Sequence, residues 1–247
     1  MTNAANDYAL PRPASGQAEF LSGARDTIPL IVGAIPFGLI FGTLATGSGL
    51  SPGGALAMSA FVFAGSAQFI ALGLLAAGPA GPIIVLTTFV VNLRHLLYAA
   101  SLAPRVKRLP RRWQIPLAFW LTDETFAVTI NRYNLPDDSP RKHWYYLGSA
   151  LAMYGNWQVC TFLGLTVGQL LPNAAQWGLD FAMPVTFIGM IIPYLKTRPM
   201  WAGVVVSGVV SVAAYPLPHK LGLMLAGLAG IAAGMAAEAF LARGERR

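Results

Sequence analysis

The stretch LTTFVVNLRHLLYAASLA (Leu86–Ala103) decides the fold, read together with IPLAFWLTDETFAVTI (Ile115–Ile130) and the basic run between them. The first arm is almost wholly apolar except for Asn92, Arg94 and His95. The second is apolar except for a central Thr122-Asp123-Glu124. Between them lie Arg105, Lys107, Arg108, Arg111 and Arg112. Read as a helical hairpin, the two arms hold Arg94 and Asp123 equidistant from the middle of the basic run. At about 1.5 Å per residue each lies roughly 15 Å beyond the turn, about half of a ~30 Å hydrocarbon core. A cation and a carboxylate are therefore expected to meet near the bilayer centre, where charge is costly and usually kept for function.

Composition sets the class around this hairpin. Of 247 residues, 55% are hydrophobic and only 11% charged, with a mean hydropathy of +0.55. A soluble domain carries about 25% charged residues, so this chain has too little polar surface to cover itself. Its 26 Gly and 18 Pro would break soluble helices, but membrane helices tolerate them because neighbours re-satisfy freed backbone groups. The formal charge of +7 does not indicate nucleic acid, because the cations cluster in short loops: at 105–112, at Lys196 and Arg198, and in the tail Arg243, Arg246, Arg247. That is the signature of cytoplasmic loops under the positive-inside rule. The single cysteine, Cys160, excludes an internal disulfide and a Cys-based zinc site and reads as a buried inert thiol. No cofactor or metal is expected.

The expected fold is an all-α integral membrane protein, a polytopic bundle of about 6–8 membrane segments, some discontinuous or re-entrant. Apolar segments run at 27–47, 53–77, 80–103, 114–131, 144–171, 178–195, 200–215 and 218–241. Residues 1–23 lack the basic-then-apolar pattern of a cleavable signal and read as a weakly ordered cytoplasmic tail. Residues 24–242 form the transmembrane domain and 243–247 a basic cytoplasmic tail. If every early segment crossed, the 105–112 run would lie outside; a re-entrant or discontinuous element among the first two segments returns it inside. A second such element between 178 and 215 would return the C-terminal tail. Ala34-Ile35-Pro36-Phe37 opens a Gly-rich helix and is followed by Ser51-Pro52; Ala182-Met183-Pro184-Val185 is followed similarly by Arg198-Pro199. This faint likeness admits an inverted repeat, whose site would lie between broken helices.

Three constellations carry chemistry. On a helix, Arg94, Tyr98 and Ser101 share a face that Asn92 and His95 extend; Arg94 serves either transport or a purely structural pin. Asp123 and Glu124 project about 100° apart, so one pairs with Arg94 and the other, desolvated, is open to protonation; a static ion pair is the alternative. Phe63-Ala64-Gly65-Ser66-Ala67-Gln68-Phe69 is a run of small residues around two polar side chains, suited either to a helix break that exposes backbone to a solute or to close packing with Gln68 as glue. Asn156, Trp157 and Gln158 form a polar patch that either lines a pathway or is structural. Gly222, Ala226, Gly230 and Gly234 make a small-residue face for another helix, from this chain or a partner.

With Gly33–Gly38, Phe63–Phe69, Asn92–Tyr98 and Leu121–Phe126 in order along it, the chain resembles the AzlC-type branched-chain amino-acid permeases, the large subunits of the LIV-E exporter family. The resemblance implies a multi-pass protein of the bacterial inner membrane that exports small apolar amino acids. It implies as well a separate small AzlD-type membrane subunit as partner.

The residues suit such a cargo. Arg94 or an exposed helix terminus would hold a carboxylate, Asp123 or Glu124 an ammonium, and Phe37, Phe63 and Phe69 the apolar side chain. Asn92, His95, Tyr98, Ser66, Gln68 and Pro36 complete the candidate set, and a proton riding on one acid would drive export. A carrier or channel for another small solute is the nearest alternative. A membrane hydrolase built on Ser66 and His95 is a remote one, lacking an oxyanion hole and a third orienting group.

Overall fold

The computed structural model describes residues 15–78, 81–137, 139–168, 195–217 and 221–244, with Ile188 and Ile192 besides. Every regular element among them is a helix: α1 (Gly16–Asp26), α2 (Ile28–Gly47), α3 (Pro52–Phe61), α4 (Gly65–Ala77), α5 (Gly81–Asn92), α6 (Arg94–Val106), α7 (Arg111–Phe119), α8 (Asp123–Asn134), α9 (Lys142–Thr166), α10 (Arg198–Ala213) and α11 (Leu221–Gly244). Three stretches are long and apolar enough to cross a membrane: Ile28–Gly47, the Gly81–Val106 run of α5 and α6, and Leu225–Arg243. Val85, Leu86, Phe89, Leu96 and Leu97 stand exposed along the second of these. On a soluble protein that stripe would be a liability; here it faces hydrocarbon.

The axis of the bundle is α9, which at 25 residues is about 37 Å long. α1 and α2 pack along it in parallel, in nearly one rod. Glycines permit the approach: a Cβ at Gly23 or Gly148 would strike the carbonyl of Tyr145 or Phe20, and one at Gly38 would lie 2.5 Å from the Cβ of Cys160. At the joint, the Thr27 hydroxyl donates to the Gly23 carbonyl and shares a hydrogen bond with Ser149 Oγ, both at 2.7 Å and fully out of solvent. The Ser15 hydroxyl caps α1 through Ala18 N–H at 3.1 Å. Residues 16–23, read from the sequence as part of a weakly ordered tail, are helical and packed on α9. The polar composition of this segment is misleading, because Glu19 is buried on Arg132 and Ser139, partners far along the chain.

The two faces of the bundle are defined by the ends of these rods, the near face holding Gly16 and Lys142, the far face Gly47 and Thr166. α3 enters from the far face antiparallel to α9: Ser59 Oγ meets Thr161 Oγ1 at 2.6 Å, Tyr154 O–H donates to the Ala60 carbonyl at 3.1 Å, and the Phe63 ring meets that of Tyr154 at 4.9 Å. The chain then turns back. α4 starts beside Trp157, runs past Phe37 and Phe41 through Phe69, and reaches Leu72 in the buried cluster that includes Ala45. α3 and α4 are therefore a re-entrant pair. α5 and α6 then cross to the near face, where Arg105 bonds Asn134 at 2.7 Å.

α7 and α8 mirror this from the opposite side. α7 enters at the near face with Trp113 on His143 and Trp144, passes Tyr146 at Leu117, and reaches Tyr154 at Trp120. α8 returns to the near face, where Lys142 Nζ donates to the Leu135 carbonyl at 3.1 Å. Tyr154, the middle residue of α9, touches both tips, Phe63 at 4.9 Å and Trp120 at 5.8 Å.

This topology satisfies the charge bias. The far-face turn 48–51 and Gly78, which ends α4, hold no Lys or Arg, while the near face collects Arg105, Lys107, Arg108, Arg111, Arg112, Arg141 and Lys142. The re-entrant element falls in the second apolar segment, and a second one falls in the fourth. Pro36 does not open a helix as its surroundings suggest; it sits inside unbroken α2. Ser51 and Pro52 do open α3, the Ser51 hydroxyl accepting from Gly54 N–H at 3.0 Å. The Ala182–Val185 side of the apparent repeat, and most of the 178–195 segment, lie outside the described residues. Finally, α10 and α11 form an antiparallel hairpin in which a Cβ at Gly230 would meet Ser207 and the Gly203 carbonyl. The small-residue face of 222–234 is thus covered by this chain.

Candidate functional site

Both re-entrant pairs break where their tips meet. At the far-face tip Phe63 takes φ +41°, a left-handed conformation costing about 1–3 kcal/mol for a bulky residue, and Ala64 is extended at φ −138°, ψ 88°. Gly65 then starts α4 with the Trp157 ring so close that a Cβ would lie 2.9 Å from it. At the near-face tip Trp120 leaves the helix at ψ 17° and Thr122 is extended, its hydroxyl accepting from Thr125 N–H at 3.3 Å to start α8. The crossing rod slips as well: Leu93 N–H bonds the Val90 carbonyl and Leu96 N–H the Leu93 carbonyl, a tight turn that makes Arg94 the first residue of α6.

Arg94 joins the two tips. Its Nη1 pairs with Asp123 Oδ2 at 2.6 Å, and its Nη2 donates to Ser66 Oγ at 2.6 Å. The ion pair is largely withdrawn from solvent, with side-chain exposures of 26% for Arg94 and 10% for Asp123.

A cavity opens at this junction. Ser66, Arg94, His95, Thr122, Asp123 and Glu124 form its polar wall; Ala34, Phe37, Phe63, Met153 and Trp157 form its apolar wall. The α4 N-terminus has no side-chain cap, so its first N–H groups and dipole favour negative charge. The α8 N-terminus is the reverse: capped by Thr122 and loaded with Asp123 and Glu124. The cavity therefore offers cationic and N–H donors at one tip, carboxylates at the other, and hydrocarbon between them. That pattern matches a small zwitterion with an apolar side chain.

Of the sequence candidates, Phe63, Ser66, Arg94, His95, Asp123 and Glu124 line the cavity, as does Phe37. The other five stand behind it. Phe69 packs edge-on against Phe37 and Phe41, at 6.2 and 6.0 Å. Tyr98 stacks on Phe126 at 4.6 Å and meets His95 at 5.8 Å. Asn92 contributes its carbonyl to His95 Nδ1 at 3.1 Å, Pro36 lies within α2, and Gln68 is fully buried with no hydrogen-bond partner among the described residues. Met153 and Trp157 are lining residues missing from the candidate set. Trp157 was legible only as part of the polar patch on α9, and Met153 carries no polar signal at all. Ser66 bonds Arg94 and His95 Nδ1 bonds the Asn92 carbonyl at the end of α5, so the two do not form a nucleophile–base pair in this arrangement.

Comparison with known proteins follows the same region. The AzlC protein family model matches residues 29–171, which hold both re-entrant pairs and every lining residue of the cavity. The chain is 31% identical over 192 residues to Inner membrane protein YgaZ of Escherichia coli (strain K12), covering 76% of this chain and 78% of that one. It is 32% identical over 219 residues to an uncharacterized membrane protein of Archaeoglobus fulgidus, covering 87% and 94%. It is 30% identical over 176 residues to the Branched-chain amino acid transport protein AzlC of Bacillus subtilis (strain 168), covering 71% and 67%. No solved structure matches the chain.

Proposed function

This chain belongs to the AzlC family, and on that premise we propose that it exports branched-chain and other small apolar amino acids across a bacterial inner membrane. The observation that carries the reading is the cavity between the tips, with donors on one wall, carboxylates on another and aromatic and thioether surface between. The substrate carboxylate docks at the uncapped start of α4, near Arg94. Its ammonium meets Glu124, since Asp123 is engaged by Arg94. Its side chain lies against Phe37, Phe63, Met153 and Trp157. One methylene in such a pocket is worth about 1–3 kcal/mol, so Leu, Ile, Val and Met are all accepted.

Protons drive export in this reading, carried on Glu124 or Asp123, and the near face with its cations is cytoplasmic. A small AzlD-type subunit completes the transporter, docking elsewhere than on 222–234, which α10 covers. The test is counterflow of labelled leucine in proteoliposomes, with protein purified with and without a co-expressed AzlD-like subunit. Leucine exchange that valine competes and glutamate does not supports the reading; no exchange in either preparation refutes it. If vesicles of both Asp123→Asn and Glu124→Gln retain pH-driven efflux, the proton-carrier role is wrong.

A further inference from the structure

Two helix pairs enter the bundle from opposite faces, and a single guanidinium on a third element holds both tips. We propose that Ser66 and Asp123 are positioning residues that latch the far-face and near-face tips to Arg94, so that releasing one latch opens the cavity to one face only. The inference goes beyond the proposed function, because it concerns which face the site opens to; only the unequal response of the two latches to a zwitterion rests on that reading.

The geometry separates the two latches. Ser66 lies on α4, whose pair enters and leaves at the far face; Asp123 lies on α8, whose pair enters and leaves at the near face. Arg94 belongs to neither pair. It sits on the rod that crosses from one face to the other, at the slip between α5 and α6. Both bonds are 2.6 Å long and use different guanidinium nitrogens, Nη2 to Ser66 and Nη1 to Asp123, so each is made independently of the other. The tips also share one abutment, Tyr154, which holds the far-face pair by a hydrogen bond to the Ala60 carbonyl and touches the near-face pair only through the Trp120 ring. Both latches are closed in this structure.

The latches are also chemically unequal, and this gives direction to the idea. A cargo carboxylate arriving at the start of α4 competes with the neutral Ser66 hydroxyl for Arg94, and wins, because an ionised acceptor adds ion pairing that a hydroxyl oxygen cannot offer the guanidinium. A cargo ammonium at the α8 start competes with Arg94 for the acids. Each end of a zwitterion thus bears on a different latch.

The experiment reads sided access rather than transport, so it stands apart from the identity of the cargo. In a Cys160→Ser background, which removes the native cysteine, the buried cavity residue Ala34 is replaced by Ala34→Cys as reporter. A membrane-impermeant charged maleimide is applied to right-side-out and inverted vesicles of the full chain. Protease access to an N-terminal tag identifies the near face in each. Ser66→Ala is expected to raise reporter labelling from the far face roughly tenfold, the shift that loss of one charge-assisted hydrogen bond allows, with near-face labelling unchanged. Asp123→Asn is expected to do the converse, and Arg94→Gln to raise both. The conservative Ser66→Thr, which keeps the hydroxyl, is expected to restore the parent pattern and separates latching from misfolding. Labelling that rises from the same face for Ser66→Ala and Asp123→Asn, or stays at the parent level in both while Ser66→Thr also matches the parent, overturns the proposal.

Discussion

Arg94 and Asp123 are each the first residue of a helix, and they meet at 2.6 Å where those helices start. Their partnership predicts a strong non-additivity. Asp123→Ala or Arg94→Ala alone leaves one largely withdrawn charge without its counter-ion, which costs about 2 kcal/mol here. That is less than the 3–5 kcal/mol of a fully buried pair because the Arg94 side chain keeps some exposure. Removing both together costs less than the sum. A double-mutant cycle read by thermal unfolding in detergent tests this; simple addition of the two effects would show that the pair is not coupled.

Two glycines on α9 make opposite predictions. A Cβ at Gly148 would strike the Phe20 carbonyl where α1 crosses, whereas nothing lies within 4 Å of one at Gly155. Gly148→Ala is expected to destabilise by about 2–3 kcal/mol, within the range for overpacking a close contact. Gly155→Ala is expected to stabilise by up to about 1 kcal/mol through helix propensity alone. Thermal midpoints of the two variants, measured side by side, decide it. Equal shifts would mean that α1 does not dock as described.

The near-face polar cluster predicts a pH dependence. Asp137 accepts from Arg132 and Lys142, both at 2.7 Å, and these bonds hold its carboxyl well below the usual carboxylate range. A group whose value is depressed by folding adds stability above its unfolded value of about 4 and loses it as the pH falls further. Asp137 is a partly exposed loop residue, so solvent screening limits its contribution to less than about 1 kcal/mol. Asp137→Asn should therefore lower the thermal midpoint slightly at pH 7, and the difference from the parent should shrink on acidification below pH 4. A difference that grows on acidification contradicts the sign.

These features differ in how far the residues alone reveal them. Arg94 and Asp123 could be placed together because charge is conspicuous in oil and helical rise is constant. The breaks were legible only as an alternative, the small-residue run Phe63–Phe69 admitting either a break or close packing. Residues 53–77 read as one continuous apolar segment, and the left-handed turn at Phe63 is imposed by its contacts with Tyr154 and the Trp157 beside Gly65, partners about 90 residues away in sequence. The misplaced basic run and the small residues of 63–69 together hinted that a segment folded back. Glu19 shows the same limit from the polar side. A lone acid in a mixed segment reads as solvated until Arg132 and Ser139 are folded onto it. Met153 was invisible for a simpler reason: on an apolar helix one methionine looks like any other core residue, and only the position of the two tips makes it a wall of the cavity.

Pocket size supplies the last prediction. Ala34 lies on α2 and lines the cavity together with Phe37, its neighbour one helical turn on. Ala34→Val adds two methyl groups there without adding charge or removing a hydrogen bond. If the cargo side chain lies against this wall, the larger substrate suffers most. One lost methylene of accommodation is worth about 1–3 kcal/mol, or roughly 10- to 200-fold in discrimination. Exchange of leucine should then fall by at least about tenfold relative to exchange of alanine, with the midpoint of thermal unfolding little changed. The measurement is competition by unlabelled alanine, valine and leucine against one labelled substrate in the same proteoliposomes. A uniform loss for all three would place the cargo away from α2, and an unchanged order would mean that the side chain does not occupy this wall.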